Sequence, residues 1–125
     1  TMESFSGDLT RYLIEDEVRW ILRRNTLSAE NTLEQWPAFW RTGDAENFWL
    51  SYRQSIESAD RELYGEYEDK LIVQRNTLMA ARLDEMFQSG GTYFVTVGLL
   101  HLIYEDNNLP DLLGEMGYAV ERVSD

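Results

Sequence analysis

Apolar positions in the first 89 residues recur with the spacing of α-helices. From Phe48, apolar side chains follow at i+1, i+4 and i+8, which predicts an amphipathic helix that begins after a cap at Asp44. An earlier helix is expected to begin near residues 28–31 and to reach Trp40. The strongest helical pattern covers residues 66–89. Its predicted apolar face consists of Leu71, Ile72, Leu78, Met79, Leu83, Met86 and Phe87. We therefore expect residues 1–89 to form a helical region.

Two arginines are predicted to lie within this apolar face. At about 100° per residue, Arg75 and Arg82 project toward the apolar side chains and not away from them. A buried guanidinium needs a partner, because an unpaired buried charge is costly. Two interpretations remain open: the arginine reaches the surface or pairs with a structural carboxylate, or it belongs to a functional site.

The pattern changes after the long helix. Gly90 and Gly91 are predicted to stop that helix, because glycine adopts the conformations that follow a helix end. Residues 92–98 are β-branched and aromatic with little polar alternation, which is typical of a strand buried on both faces. This strand delivers the chain toward His101, its only histidine.

A short helix and a second strand are predicted to follow. Asn108 is a suitable helix cap, and Pro110 fits the first helical turn. Gly117 is expected to end this helix before a strand over residues 118–123. Strand, helix and strand at this spacing suggest a parallel crossover unit over residues 90–125. The predicted fold class is therefore α+β, or α/β, mostly helical with a small sheet near 92–98 and 118–123.

The predicted sheet is incomplete. Two strands do not make a stable sheet alone, and residues 92–98 are too apolar for an exposed edge. We therefore expect the sheet to be completed from outside the chain, by a missing N-terminal part, by a second copy in a homo-oligomer, or by another protein. The 125 residues fit a single domain or a fragment of one.

Charge and composition exclude several classes of function. There are 23 acidic and 11 basic residues, a formal net charge of −12, which disfavours nucleic acid and anionic membranes as partners. The chain has no cysteine, so disulfides and thiolate metal sites are excluded. No stretch approaches the roughly 18 apolar residues of a membrane span. No signal peptide is visible.

The candidate chemistry lies just after the first predicted strand. His101 would stand at the carboxyl end of that strand, where open α/β sheets usually bind ligands. Gly98 permits a close backbone approach before it. Glu105 and Asp106 follow and could supply oxygen ligands to a metal together with His101. A lone histidine near a strand end is more often structural, and one histidine with two nearby acids is not a metal signature by itself.

Several short motifs together resemble a known family. They are Arg75-Asn76, Gly98-Leu99-Leu100-His101-Leu102, Leu109-Pro110-Asp111-Leu112-Leu113 and Gly117-Tyr118-Ala119-Val120, with Trp40-Arg41-Thr42-Gly43-Asp44 upstream. As a set, these motifs resemble the C-terminal half of the TraB/GumN family, to which the animal Tiki metalloproteases are related. The resemblance covers roughly residues 30 to 123.

The resemblance implies a site shared between two halves of a protein. The family carries two G-x-x-H motifs, and Gly98 and His101 match the late one. The early motif has no counterpart, because His101 is the only histidine. The resemblance thus implies a fragment that lacks the first half. In this comparison Tyr104 and Asn107-Asn108 stand where the family usually has glycines. Asparagine tolerates left-handed conformations, so the turn is expected to survive.

The implied function is a metal-dependent, protease-like hydrolase. In this interpretation His101 and Arg75 are catalytic, Asn76 and Gly98 contribute to ligand binding, and His101 and Glu105 are metal ligands. A divalent metal is expected in the full-length protein, with none bound tightly by this fragment, which should be inactive. A peptide or a small molecule is the expected substrate, and a periplasmic or secreted location is expected. The alternative is a non-catalytic binding or interaction domain on the same scaffold.

Overall fold

Every regular element in the described part of the chain is a helix. The computed structural model describes residues 5–24, 32–57 and 59–123. Its elements are α1 (Gly7–Arg24), α2 (Thr32–Thr42), α3 (Ala45–Ser55), α4 (Arg61–Glu68), a π-helical turn (Asp69–Val73), α5 (Gln74–Gln88), α6 (Leu100–Ile103) and α7 (Leu109–Glu115). One predicted helix was expected to begin near residues 28–31 and to reach Trp40. Its predicted start lies outside the described residues. No described helix is long and apolar enough to cross a membrane.

The chain divides into two compact units, residues 1–67 and residues 68–125. In the first unit, Leu9 on α1 is fully buried. The Oγ of Ser6 accepts a hydrogen bond from the Leu9 N–H at 3.1 Å and donates to Glu66 at 2.6 Å, which links the start of α1 to α4. The N-terminal end of α1 is thus stabilised both by the burial of Leu9 and by the hydrogen bonds of Ser6.

Helices α2 and α3 pack against each other in the first unit. The indole of Trp36 donates to the buried Ser51 Oγ at 3.0 Å, and its ring lies 4.8 Å from that of Phe48. The predicted cap of α3 is confirmed, because the Asp44 carboxylate accepts from the Asn47 N–H at 3.1 Å. Gly43 precedes it with a φ of 66°, as a turn between two helices requires.

The core of the second unit is formed by α5 and α7, which pack together. Its buried residues are Glu68, Ile72, Asn76, Ala80, Leu83 and Leu109. The predicted start of α7 is confirmed, since the Asn108 side chain accepts from the Asp111 N–H at 2.9 Å and Pro110 lies in the first turn. The predicted helix stops are also confirmed: Gly90, Gly91 and Gly117 all have positive φ.

The predicted sheet is wrong, and the described residues make the fold all-α. Residues 92–98 and 118–123 contain no strand, and no backbone hydrogen bond joins the two segments to each other. Their backbone bonds are local, from the His101 N–H to the Gly98 carbonyl and from the Tyr118 N–H to the Leu113 carbonyl. Residues 92–98 are not buried on both faces either, since Phe94 is 96% exposed. The strand–helix–strand unit predicted for residues 90–125 therefore keeps only its helices, α7 and the short α6.

A tyrosine of each of these two segments contacts α5 or the turn that follows it. The Tyr93 hydroxyl donates to the Gly90 carbonyl at 2.7 Å, next to the end of α5. The Tyr118 hydroxyl donates to the Asp84 carboxylate at 2.6 Å, and its ring meets Phe87 edge-on at 5.1 Å. Each segment is thus attached to the helix through its own tyrosine, and a two-stranded ribbon alone would add little stability.

The Asp84–Tyr118 hydrogen bond also shifts two pKa values. The bonds from Tyr118 and then from Gln88 lower the pKa of Asp84, while the bond to Asp84 raises the pKa of Tyr118. Because folding lowers the pKa of Asp84, the bond stabilises the fold at pH values above the pKa that Asp84 has in the unfolded chain. Because folding raises the pKa of Tyr118, the bond stabilises the fold at pH values below the pKa that Tyr118 has in the unfolded chain. The contact is therefore retained across the neutral range and lost in strong acid and strong alkali.

Candidate functional site

His101, Asn76 and the loop that follows His101 come together in the second unit. His101 lies on α6 and is half-buried, and Asn76 lies on α5 and is fully buried. The imidazole Nδ1 and the Asn76 Oδ1 are 2.7 Å apart. The Asn76 side-chain nitrogen donates to the Asn107 carbonyl at 2.8 Å. One buried amide therefore connects the histidine ring to the loop between α6 and α7.

The loop adopts the conformation that asparagine tolerates. Asn107 has a φ of 54°, in the left-handed region that asparagine tolerates. Asn108 donates to the Tyr104 carbonyl at 2.9 Å, which closes the loop from its other side. Asparagine therefore adopts a left-handed conformation in this loop.

The side chain of Arg75 is exposed, so its predicted place inside the apolar face is wrong. Arg82 is exposed as well and pairs with Glu85 at 2.6 Å. The error comes from Leu78, which was counted in the apolar face but is 70% exposed. Without it, the buried positions run from Ile72 through Asn76 to Leu83, and Arg75 falls at the edge of that face.

The environment of His101 favours its neutral form. Burial, and secondly the positive charge of Arg75, lower the pKa of His101 below its ordinary value. Because folding lowers this pKa, His101 contributes fully to stability above the ordinary histidine pKa. This contribution is lost as the pH falls through the pKa that His101 has in the folded protein. Around neutral pH, the site therefore presents an uncharged imidazole close to a guanidinium.

Gly98 contributes a backbone contact and needs no special conformation. Its carbonyl accepts from the His101 N–H at 3.0 Å at the start of α6. Its φ is not positive, and an added Cβ would meet the His101 ring carbon Cδ2 at 3.5 Å, an ordinary contact. Within the described chain, neither backbone strain nor lack of space requires glycine at this position.

Glu105 is exposed in the loop after His101, and the same loop carries Asp106. Among the described residues, no three histidine, aspartate or glutamate side chains come close enough together to hold a metal ion. A single imidazole does not fit a catalytic metal, which needs about three protein ligands. His101 would therefore be one ligand of any metal site that involves it.

Two open clefts in the described residues lie away from these side chains. The cleft in the second unit is lined by Pro110, Asp111, Gly114, Glu115, Tyr118, Val120 and Arg122. The cleft in the first unit is lined by Asp8, Arg11, Tyr12, Glu15, Asp60, Glu62 and Leu63. Neither of these two clefts is lined by His101, Asn76 or Arg75, and the candidate site is described by its hydrogen bonds.

Sequence reasoning missed the role of Asn76 as the link between elements. The signal was present, since Asn76 lies four residues after the buried Ile72 and seven before the buried Leu83. A polar residue at the centre of an apolar face requires buried partners. Those partners, the His101 ring and the Asn107 carbonyl, come from a loop whose path the sequence pattern does not fix.

Comparison with known proteins gives one match. The family model described as the TraB/PrgY/gumN family matches residues 1–122, nearly the whole chain. No curated protein and no solved structure matches the chain. The motifs that suggested the family thus lie within a match that also includes the first helix.

Proposed function

Because the chain belongs to the TraB/PrgY/gumN family, we propose that it supplies part of a hydrolase site, with His101 as the group that transfers a proton or binds a metal. Arg75 is the electrostatic partner of His101 in this proposal. The proposed substrate is a peptide or a small molecule. The chain alone is proposed to be inactive.

The observation that carries this proposal is a positioned, neutral imidazole near a cation. The His101 ring is held at 2.7 Å from a fully buried amide, and its pKa is lowered by burial and by Arg75. A neutral imidazole can take a proton from an attacking water molecule, and a positioned general base typically contributes about 10²- to 10⁴-fold to the rate.

Arg75 has the properties of an electrostatic stabiliser. Its side chain is exposed, and it forms no ion pair or hydrogen bond with any residue that the structure describes. A guanidinium with unused donors can bind the oxyanion that develops when water attacks a carbonyl group. Its proximity to His101 is indicated by its effect on the pKa of that ring.

A divalent metal is part of the proposed hydrolysis only in a protein that provides more ligands. The described residues offer one imidazole with no second and third ligand beside it. Glu105 stays a proposed ligand, since it lies four residues after His101 and its carboxylate is exposed. We therefore expect this chain alone to bind no divalent metal tightly.

The exposed Arg75 also favours a second candidate function, a non-catalytic binding domain. With His101 as the only imidazole and no metal group among the described residues, the same pair could hold a carboxylate or phosphate group of a ligand. Association with a second copy of the chain also stays a prediction, now without a sheet as its basis. The exposed Phe94 would offer apolar surface for it.

Matched substitutions in the protein that contains this chain separate the two functions. We expect His101→Ala to abolish hydrolysis of a peptide library and to weaken divalent-metal binding measured by calorimetry. Arg75→Met should lower kcat by about 10²-fold, the typical cost of removing one oxyanion donor. Arg82→Met is the control, because Arg82 lies on the same helix in an exposed pair with Glu85.

Hydrolysis and metal binding that are unchanged in His101→Ala would overturn the hydrolase proposal. The binding domain would be supported instead by two results together. The unsubstituted protein would bind a small anion without any hydrolysis, and Arg75→Met would lose that binding.

A further inference from the structure

We propose that Asn76 is a positioning residue that fixes His101 in the tautomer with hydrogen on Nδ1 and leaves the Nε2 lone pair as the reactive one. The role of Nε2 in a reaction depends on the proposed function. The tautomer itself follows from this chain's own hydrogen bonds and can be measured without any activity.

The first step concerns the orientation of the Asn76 amide. One end of this amide lies 2.8 Å from the Asn107 carbonyl oxygen. A carbonyl oxygen only accepts hydrogen bonds, so the amide end that faces it must be the NH₂ group. The oxygen end therefore faces the His101 ring, at 2.7 Å from Nδ1.

The second step concerns the hydrogen on the ring. An amide oxygen only accepts, so a hydrogen bond at 2.7 Å requires a hydrogen on Nδ1. In a neutral imidazole the other nitrogen, Nε2, then has no hydrogen and keeps its lone pair. An imidazole without a partner samples both neutral tautomers, so this selection depends on Asn76.

The third step concerns whether the amide could reverse. Asn76 is fully buried, so water does not compete for its two ends. A reversed amide would place Oδ1 against the Asn107 carbonyl oxygen, and two acceptors would then face each other. Asn107 is held in a left-handed conformation in a loop that Asn108 closes onto Tyr104, so its carbonyl cannot easily turn away.

The choice of asparagine has a chemical consequence. A carboxylate at this position would also accept from the ring, but it could not donate to the Asn107 carbonyl, and its negative charge would favour the imidazolium form. An amide satisfies both partners and orients the ring without that charge. A neutral ring with a free Nε2 is the form that accepts a proton or ligates a metal.

The experiment is ¹⁵N nuclear magnetic resonance of the imidazole nitrogens in the full chain. His101 is the only histidine, so its ring signals need no assignment. In the unsubstituted chain, above the histidine pKa, we expect the hydrogen on Nδ1. In Asn76→Ala we expect a mixture of both tautomers. In Asn76→Asp we expect the hydrogen to stay on Nδ1 and the ring pKa to rise by about one unit or more.

The control variant is Tyr118→Phe, which removes a different hydrogen bond to α5 and should leave the tautomer unchanged. Circular dichroism checks that each variant folds. If the Asn76 variants do not fold, the ¹⁵N spectrum of the unsubstituted chain alone tests the predicted tautomer. A hydrogen on Nε2 in the unsubstituted chain would overturn the proposal, as would an unchanged tautomer in folded Asn76→Ala. Failure of the hydrolase proposal would leave these spectra as expected, so the two failures are distinguishable.

Discussion

Replacing Asn76 by leucine is expected to lower the free energy of unfolding of the second unit by about 2 kcal/mol. Leucine has the same number of side-chain heavy atoms in the same branched arrangement and is the larger residue, so the cost does not come from a cavity. It comes from the loss of two hydrogen bonds, the 2.7 Å contact to His101 and the 2.8 Å contact to the Asn107 carbonyl. Both partners would have to find water, and burial of the new apolar side chain offsets only part of that cost.

Hydrogen exchange of the α5 amide groups measures this effect within residues 68–125. Gln74→Leu is the matched control, because Gln74 lies two residues earlier on the same helix and bonds to Asp69 on the exposed surface. The control should change the free energy of opening by less than about 0.5 kcal/mol. Equal effects of the two substitutions would mean that Asn76 does not link α5 to the His101 loop.

Leu9→Ala is expected to lower the free energy of unfolding of the first unit by about 3 kcal/mol. Leu9 is fully buried on α1, so truncation removes apolar contacts and leaves a cavity. Tryptophan fluorescence during urea unfolding measures this loss selectively. All four tryptophans, Trp20, Trp36, Trp40 and Trp49, lie within residues 1–67.

Ile14→Ala is the control for this prediction, because Ile14 lies on the same helix and is 56% exposed. It should shift the unfolding free energy much less than Leu9→Ala does. Equal effects of the two substitutions would mean that α1 does not pack against the rest of the first unit through the face that contains Leu9.

The helices were predictable from sequence because their signals are local. The cap at Asp44, the start of α7 at Asn108 and the stop at Gly90 depend only on neighbouring residues, and all three are confirmed. The placement of Arg75 failed because Leu78 is apolar but exposed, and counting it rotated the predicted face of α5. One exposed apolar residue that is counted as buried is enough to shift the buried face that apolar periodicity predicts.

The sheet was not predictable because strand formation depends on partners. Residues 92–98 have the β-branched and aromatic composition of a strand, but β-propensity expresses a fit to neighbouring strands more than a backbone preference. Tyr93 and Tyr118 each bind to or near α5, and the described chain offers neither segment a strand to pair with.

The candidate site was predictable in part. The resemblance selected Arg75, Asn76, Gly98 and His101, and three of these lie together around the imidazole. Arg75 is linked to them by its charge alone. The specific role of Asn76 required the path of the loop at Asn107, because a hydrogen bond over 31 residues has no signature in the local sequence.

The most direct test of the central claim, that His101 and Arg75 form one electrostatic site, is a pH titration of the imidazole. Proton resonances of the single histidine report its pKa in the unsubstituted chain, in Arg75→Met and in the control Arg82→Met. We expect a pKa below the ordinary histidine value in the unsubstituted chain and in Arg82→Met, and a higher value in Arg75→Met. The same pKa in all three proteins, whether ordinary or lowered, would contradict the account.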